Sequence, residues 1–241
     1  MNSMLTMSSF LFPLITFPYV SRILLPLGTG KVSFATSVIS YFSMFSQLGI
    51  PVYGIRACAK VRDDKAALSK TFQELLIING ATSLITYLFF LLTLFTVPRL
   101  QQEKPLFLIV SLTILLNTIG VEWLYKSLEQ YVYIAVRSIF FKFLALAATF
   151  LLIHQESDYV LYGAISIFAA SASNILNFFH MRKFVSLKPV GNYHLKLPSH
   201  AVLIFFAMSC ATTVYTHLRY GDARFSKNRH RRRILQCCGQ N

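Results

Sequence analysis

Residues 75–97, LLIINGATSLITYLFFLLTLFTV, run for 23 positions without a charged side chain. A hydrocarbon core about 30 Å thick needs roughly 20 apolar residues in helical form, so this stretch reads as a transmembrane helix. The rest of the chain agrees with it. Of 241 residues, 55% are hydrophobic and 13% charged, against about 25% charged in an average soluble domain. So few solvated groups would leave a soluble globule of this size with far too much apolar surface, and lipid is the solvent the composition calls for.

Working outward, hydropathy marks six further segments, at about 4–24, 32–52, 105–122, 138–154, 159–179 and 199–217. The first has no basic leader and runs into Phe17-Pro18-Tyr19 where small residues would mark a cleavage site, so it is read as a retained helix and not a signal peptide. Charge then orients the bundle, because short cytoplasmic loops are enriched in Lys and Arg. The loops after the second, fourth and sixth segments hold 11 such residues, among them Arg56, Lys60, Arg62, Lys65, Lys70, Lys126, Arg137, Arg182 and Lys183; the alternate loops hold 4, Arg22, Lys31, Arg99 and Lys104. This predicts a cytoplasmic N-terminus. Tyr41, Tyr53, Trp123 and Tyr159 suit the aromatic belts at the interfaces.

The end of the chain breaks the pattern. Residues 219–241 should emerge outside, yet they carry seven cations and one acid, Asp222. They read as a disordered basic tail produced by a slip of reading frame near Leu218, since codons compatible with it encode an apolar, helix-compatible string in an adjacent frame. The overall +14 belongs to loops and tail in a lipid-embedded chain, and nucleic acid is not expected as a partner. Cys58, Cys210, Cys237 and Cys238 lack zinc-ligand spacing, and no phosphate-binding glycine loop, nucleophile elbow or zinc-protease pair occurs. No catalytic residue, metal site or cofactor is predicted.

Three stretches depart from generic lipid-facing helix: Phe17-Pro18-Tyr19-Val20-Ser21-Arg22 with Leu27-Gly28-Thr29-Gly30-Lys31-Val32; Leu48-Gly49-Ile50-Pro51-Val52-Tyr53-Gly54-Ile55-Arg56; and Gly120-Val121-Glu122-Trp123-Leu124-Tyr125-Lys126-Ser127 with Glu129 and Arg137. In order and spacing they resemble the Wzx-type flippases of lipid-linked oligosaccharides, the O-antigen and capsular repeat-unit transporters of the MOP/MATE-like exporter superfamily. The resemblance runs from near residue 10 to about 218 and includes Ala211-Thr212-Thr213-Val214-Tyr215-Thr216. It implies an all-α integral membrane protein of about seven transmembrane helices: an N-terminal six-helix lobe (1–198), the truncated first helix of a second lobe (199–218) and the tail (219–241). Several polar residues upstream of Met4 are usual in that family, so a short N-terminal extension is expected too.

The resemblance implies a polyprenyl-diphosphate-linked oligosaccharide as substrate, moved across the bacterial inner membrane. Such a head group needs a wet path between helices and cations to offset its diphosphate. Arg22, Arg56 and Arg137 are candidates, because a guanidinium pairs two phosphate oxygens and keeps its proton; each can equally snorkel as a topology anchor. Asn79, Asn117, Asn174 and Asn177 are candidates for sugar hydroxyls or for bonds between helices. Glu122 and Glu129, seven apart, would share a helix face, with Lys126 placed to pair Glu122; an intrahelical ion pair and a proton- or sodium-coupling carboxylate are both open. Pro13, Pro18 and Pro51 interrupt apolar helices as hinges would. The run Ala169-Ala170-Ser171-Ala172-Ser173 suits a close helix contact.

Two other readings share the composition: a MATE-like drug or cation antiporter fragment, and a membrane-embedded polymerase or glycosyltransferase. The loop motifs favour the sugar-lipid branch, and the longest outer loop is too short to carry a catalytic site, so the chain is not expected to be an enzyme. Expected partners are the lipid-linked oligosaccharide, membrane lipid, a separately encoded C-terminal half and the polysaccharide polymerase machinery. The orientation is checked by reporter fusions: alkaline phosphatase joined within 56–70 is expected to be inactive and joined at 154–158 active, and the reverse pattern would invert the topology.

Overall fold

The computed structural model describes residues 2–186 and residue 206. The segment expected to open a second lobe, apart from Phe206, and the basic tail lie outside the described residues. The helices are α1 (Asn2–Ile23), α2 (Leu25–Gln47), α3 (Ile50–Lys60), α4 (Lys65–Thr96), α5 (Pro98–Gln101), α6 (Lys104–Gly120), α7 (Glu122–Ser127), α8 (Tyr131–Leu152) and α9 (Tyr159–His180), with 3₁₀ turns at Glu156–Asp158 and Met181–Lys183; no strand occurs among the described residues. Five stretches, Leu25–Lys60, Lys65–Thr96, Lys104–Ser127, Tyr131–Leu152 and Glu156–Lys183, are long and apolar enough to cross a membrane. The chain is a multi-pass, all-helical membrane protein.

Cross-helix contacts give the directions. Phe12 meets Phe143 and Tyr19 meets Phe150, so α1 runs parallel to α8. Lys31 reaches Glu103 and Asn117 reaches Ser43, so α2 runs parallel to α6, while Phe42 on Phe90 and Ser46 on Ser83 set α4 antiparallel to α2. One end of the bundle thus carries α3, α7 and the 3₁₀ turn Met181–Lys183, with Arg56, Lys60, Arg62, Lys65, Lys126, Arg182 and Lys183; the other carries Arg22, Lys31, Arg99 and Lys104. The two sets of loops distinguished by charge do lie at opposite ends.

Helices overrun the apolar segments where capping or packing extends them. The fourth helix starts ten residues before the run at 75, because the Asp64 carboxylate accepts from the amides of Ala66 (2.8 Å) and Ala67 (3.3 Å). Leu68, Phe72, Leu75 and Asn79 then recur on one buried face. Helix α8 likewise starts at Tyr131, which carries Arg137 inside the helix. Pro51 proves to start a helix: Leu48 (φ 42°) and Gly49 (φ 75°) turn the chain, and Pro51 occupies the first turn of α3, where no amide donor is needed. Helix α1 runs on through Pro13 and Pro18.

Three apolar clusters hold the bundle. One fills the basic end with Ile50, Cys58, Phe72, Leu75, Trp123 and Tyr125; one joins α2, α4, α6 and α9 through Val32, Ile39, Phe90, Phe107 and Ile114; the third seats α1 on α8 and α9 through Val20, Leu24, Ala145, Ile153 and Ile165. The Ser171 side of the small-residue run is fully buried.

At the less basic end, Lys31 of α2 pairs with Glu103 at 2.5 Å and lies over the Tyr159 ring, while the Tyr159 hydroxyl donates to Glu103 at 2.8 Å. Burial works to raise the Glu103 carboxyl, but the hydrogen bonds from Lys31 and Tyr159 outweigh it and hold the group below its usual 4.5. A carboxylate lowered in this way stabilises the fold above its unfolded value and stops doing so as pH falls through the folded one. The unfolding midpoint in detergent is therefore expected to drop as pH falls below about 4.5, and Glu103→Gln to remove that dependence and lower the midpoint at pH 7; an unchanged profile would show that the network stabilises nothing.

Candidate functional site

Beneath the basic end lies a cavity of about 270 Å³. Six helices wall it: Gln47 closes α2, Pro51 and Ile55 come from α3, Asn79 from α4, Asn117 and Gly120 from α6, Glu122, Trp123 and Lys126 from α7, and Asn174 from α9. Much of the wall is amide.

The end of α6 explains why. The helix stops at Gly120, and Val121 takes φ 37°, which frees a buried carbonyl. Asn177 donates to that Gly120 carbonyl at 2.6 Å, and the Tyr125 hydroxyl donates to the Asn177 carbonyl at 2.7 Å. One turn away, Asn174 donates to Asn117 Oδ1 at 3.1 Å, and Asn117 donates to Ser43 at 3.4 Å. Gly120 is required here for space: a Cβ would fall 2.7 Å from Asn174 Oδ1. Alongside, a hydroxyl chain links Ser46, Ser83 and Thr118 at 2.6 Å per step and ties α2, α4 and α6 together.

The charges of the wall balance. Glu122 and Lys126 pair at 3.1 Å, four residues apart and each about half exposed, an arrangement that contributes little to stability. The intrahelical ion pair is thus formed, and Glu129 takes no part in it. Helix α7 ends at Ser127, and Glu129, at φ 57°, is exposed and bonds Arg62 at 3.2 Å.

Of the residues singled out from the sequence, Asn79, Asn174, Glu122 and Lys126 come together in this wall. The arginines do not. Arg22 sits in the last turn of α1 at the opposite end, against Pro18, Tyr19 and Phe150. Arg56 lies on the exposed side of α3. Arg137 is 7% exposed, with its guanidinium over Tyr133 at 5.6 Å; Tyr133 stacks in turn on Tyr125 and His180, and Nε and Nη1 of Arg137 have no hydrogen-bond partner among the described residues.

Two placements escaped the sequence reading. Trp123, expected at an interface, is 5% exposed and packs on Phe72 in the basic-end core. Gly54 makes room for it, since a Cβ there would lie 2.7 Å from the indole. Lys142, midway along α8, lines a second cavity of about 350 Å³ between α1, α8 and α9 with Thr16, Thr149, Tyr162 and Ser166. The signal was available, because Lys142 is the only charged side chain in 138–153 and ionisable groups at that depth are functional candidates.

A sequence model of the family described as "Polysaccharide biosynthesis protein" matches residues 1–218. A relative from Escherichia coli (strain K12) is 25% identical over 169 residues, covering 70% of this chain and 40% of its own length. One from Shigella dysenteriae is 23% identical over 213 residues, covering 83% and 53%. Each bears the name "Putative O-antigen transporter", and this chain spans about half the length of either. No solved structure matches. With the family matched from residue 1 to 218, the chain belongs to the polysaccharide biosynthesis protein family.

Proposed function

We propose that this chain is one lobe of a transporter that moves polyprenyl-diphosphate-linked oligosaccharide repeat units across the bacterial inner membrane during O-antigen or capsule synthesis, with its basic end in the cytoplasm. The observation that carries this is the amide-walled cavity at the basic end of an otherwise apolar bundle. Amides and hydroxyls are the groups that exchange hydrogen bonds with sugar hydroxyls, and a polar recess in an otherwise apolar bundle suits such a cargo. The names of both relatives support the reading, and the exposed cations of the basic end, among them Arg56, Lys60 and Arg62, match an anionic head group.

In this proposal a second lobe completes the path, which is consistent with the chain spanning 40% and 53% of its relatives' lengths. Cation antiport fits less well, because the one carboxylate in the cavity wall, Glu122, is already tied to Lys126.

The test is restoration of the O-antigen ladder in a strain lacking its own flippase. The 241-residue chain alone is expected to restore nothing, and the chain supplied with a C-terminal half to restore the ladder. Ile55→Trp, which narrows the cavity from the α3 side and leaves the contact of α6 with α9 alone, is expected to cut surface polysaccharide by roughly tenfold or more at unchanged membrane abundance. A full ladder with Ile55→Trp would show that cargo does not pass this cavity.

A further inference from the structure

The second cavity, of about 350 Å³ between α1, α8 and α9, differs in chemistry from the first. Lys142 is the twelfth of the 22 residues of α8, roughly 16 Å from either end at 1.5 Å per residue. That is the middle of a hydrocarbon core about 30 Å thick. Tyr162 and Ser166, four apart and so on one face of α9, line the same space. Their hydroxyls have no hydrogen-bond partner among the described residues, and both side chains, like that of Lys142, are half-buried at the wall rather than sealed inside the protein.

The surroundings narrow the chemistry of a ligand. Thr16 and Thr149 also line the space, but their protons are committed to the carbonyls of Phe12 and Ala145, each at 2.8 Å. The groups placed to donate to a ligand are therefore one ammonium and two hydroxyls, converging from two helices. No acid stands in the wall among the described residues. Donors gathered around a positive charge suit an oxyanion, and the aliphatic remainder, Ala145, Leu146, Ile165 and Ala169, suits an apolar group attached to it. Depth selects the source of that anion. The head group of a resting phospholipid stays about 15 Å from the midplane, half the core thickness, so an anion at Lys142 is one crossing the membrane. An ammonium holds it as a point charge and not as a two-pronged fork, which leaves it free to move on.

We propose that this cavity is a halfway site for the diphosphate of the lipid-linked cargo, with Lys142 Nζ and the hydroxyls of Tyr162 and Ser166 donating to its oxygens and the first isoprene unit lying on the aliphatic wall. The site rests on the transporter reading above and places the anion within this helix bundle, apart from the amide-walled cavity.

The whole chain in phosphatidylcholine nanodiscs is titrated with radiolabelled farnesyl diphosphate and with farnesol, phosphatidylglycerol is added as competitor, and a diazirine-bearing farnesyl diphosphate maps the contact. The diphosphate is expected to bind saturably and at least about tenfold more tightly than farnesol, to resist phosphatidylglycerol, and to label peptides within 142–149 and 162–170. Lys142→Gln is expected to weaken its binding about tenfold and Ser166→Ala about threefold, the range of charged and neutral hydrogen bonds, while Lys142→Arg stays within about twofold. Farnesol binding stays unchanged, as does the emission of Trp123, the only tryptophan, which reports an intact fold from a separate apolar cluster. Normal binding of the diphosphate by Lys142→Gln or, if that variant does not fold, by Ser166→Ala overturns the site and leaves the transporter reading standing; so does equal competition by phosphatidylglycerol, or labelling confined to the amide-walled cavity. Absence of saturable farnesyl diphosphate binding by the unaltered chain would overturn both.

Discussion

Inside hydrocarbon there is no water to take up a backbone carbonyl that a helix leaves behind, and the end of α6 is where this protein meets that constraint. The Gly120 carbonyl is answered by the Asn177 amide at 2.6 Å, and the Asn177 carbonyl by the Tyr125 hydroxyl at 2.7 Å. In lipid each of these groups would otherwise cost several kcal/mol. Asn174 and Asn177, three apart, lie on one face of α9, which therefore has to press against α6, and a glycine at 120 lets it do so. The amide-rich wall is thus first of all the means by which a helix stops in a place without solvent. A recess lined with spare amide capacity is its by-product, available for binding.

The same constraint divides the helix bundle into two layers. Hydroxyl and amide contacts through Ser46, Ser83, Thr118, Asn117 and Asn174 knit α2, α4, α6 and α9 together at the basic half, while Lys31, Glu103 and Tyr159 tie α2, α6 and α9 at the other end. Helices α2, α6 and α9 are thus bonded at both ends, which favours motion as one body. Helices α1 and α8 join them through the apolar cluster around Val20, Leu24, Ile153 and Ile165 and through Tyr19, whose hydroxyl donates to the Ile153 carbonyl at 3.0 Å. The cavity containing Lys142 opens where that looser layer meets α9.

What could be read from the sequence followed from solvation, which is a local property. The run at 75–97 had to be in lipid and the cations near 56–70 had to be out of it, so spans, order and the charge difference between the two ends were all legible. Side-chain placement was harder, because it depends on how helices cross. The Asp64 cap adds ten residues to α4 outside the apolar run and so brings Leu68 and Phe72 onto the buried face that carries Asn79. Starting α8 at Tyr131 turns Arg137 from a loop cation into a buried one stacked on Tyr133. Trp123 looked like an interfacial anchor because nothing near it in sequence reveals that Gly54, 69 positions earlier, leaves a slot for its ring. The asparagines were recognisable as polar groups in apolar helices, but their convergence required the parallel pairing of α6 and α9.

On the proposed function, the separation of the arginines from the amide wall has a physical consequence, because a transporter must release what it binds. A guanidinium and a diphosphate paired in a dry recess interact strongly, and after desolvation the pair is difficult to part. Neutral amides exchange hydrogen bonds with sugar hydroxyls for hydrogen bonds with water at a small net change, near 1 kcal/mol each, so they discriminate by shape and by donor–acceptor order without trapping the cargo. On the proposed function, the cations exposed at the basic end raise the local concentration of an anionic head group while remaining hydrated, and the neutral wall then reads the sugar. Attraction and recognition are carried by different residues, and neither has to be strong enough to prevent release.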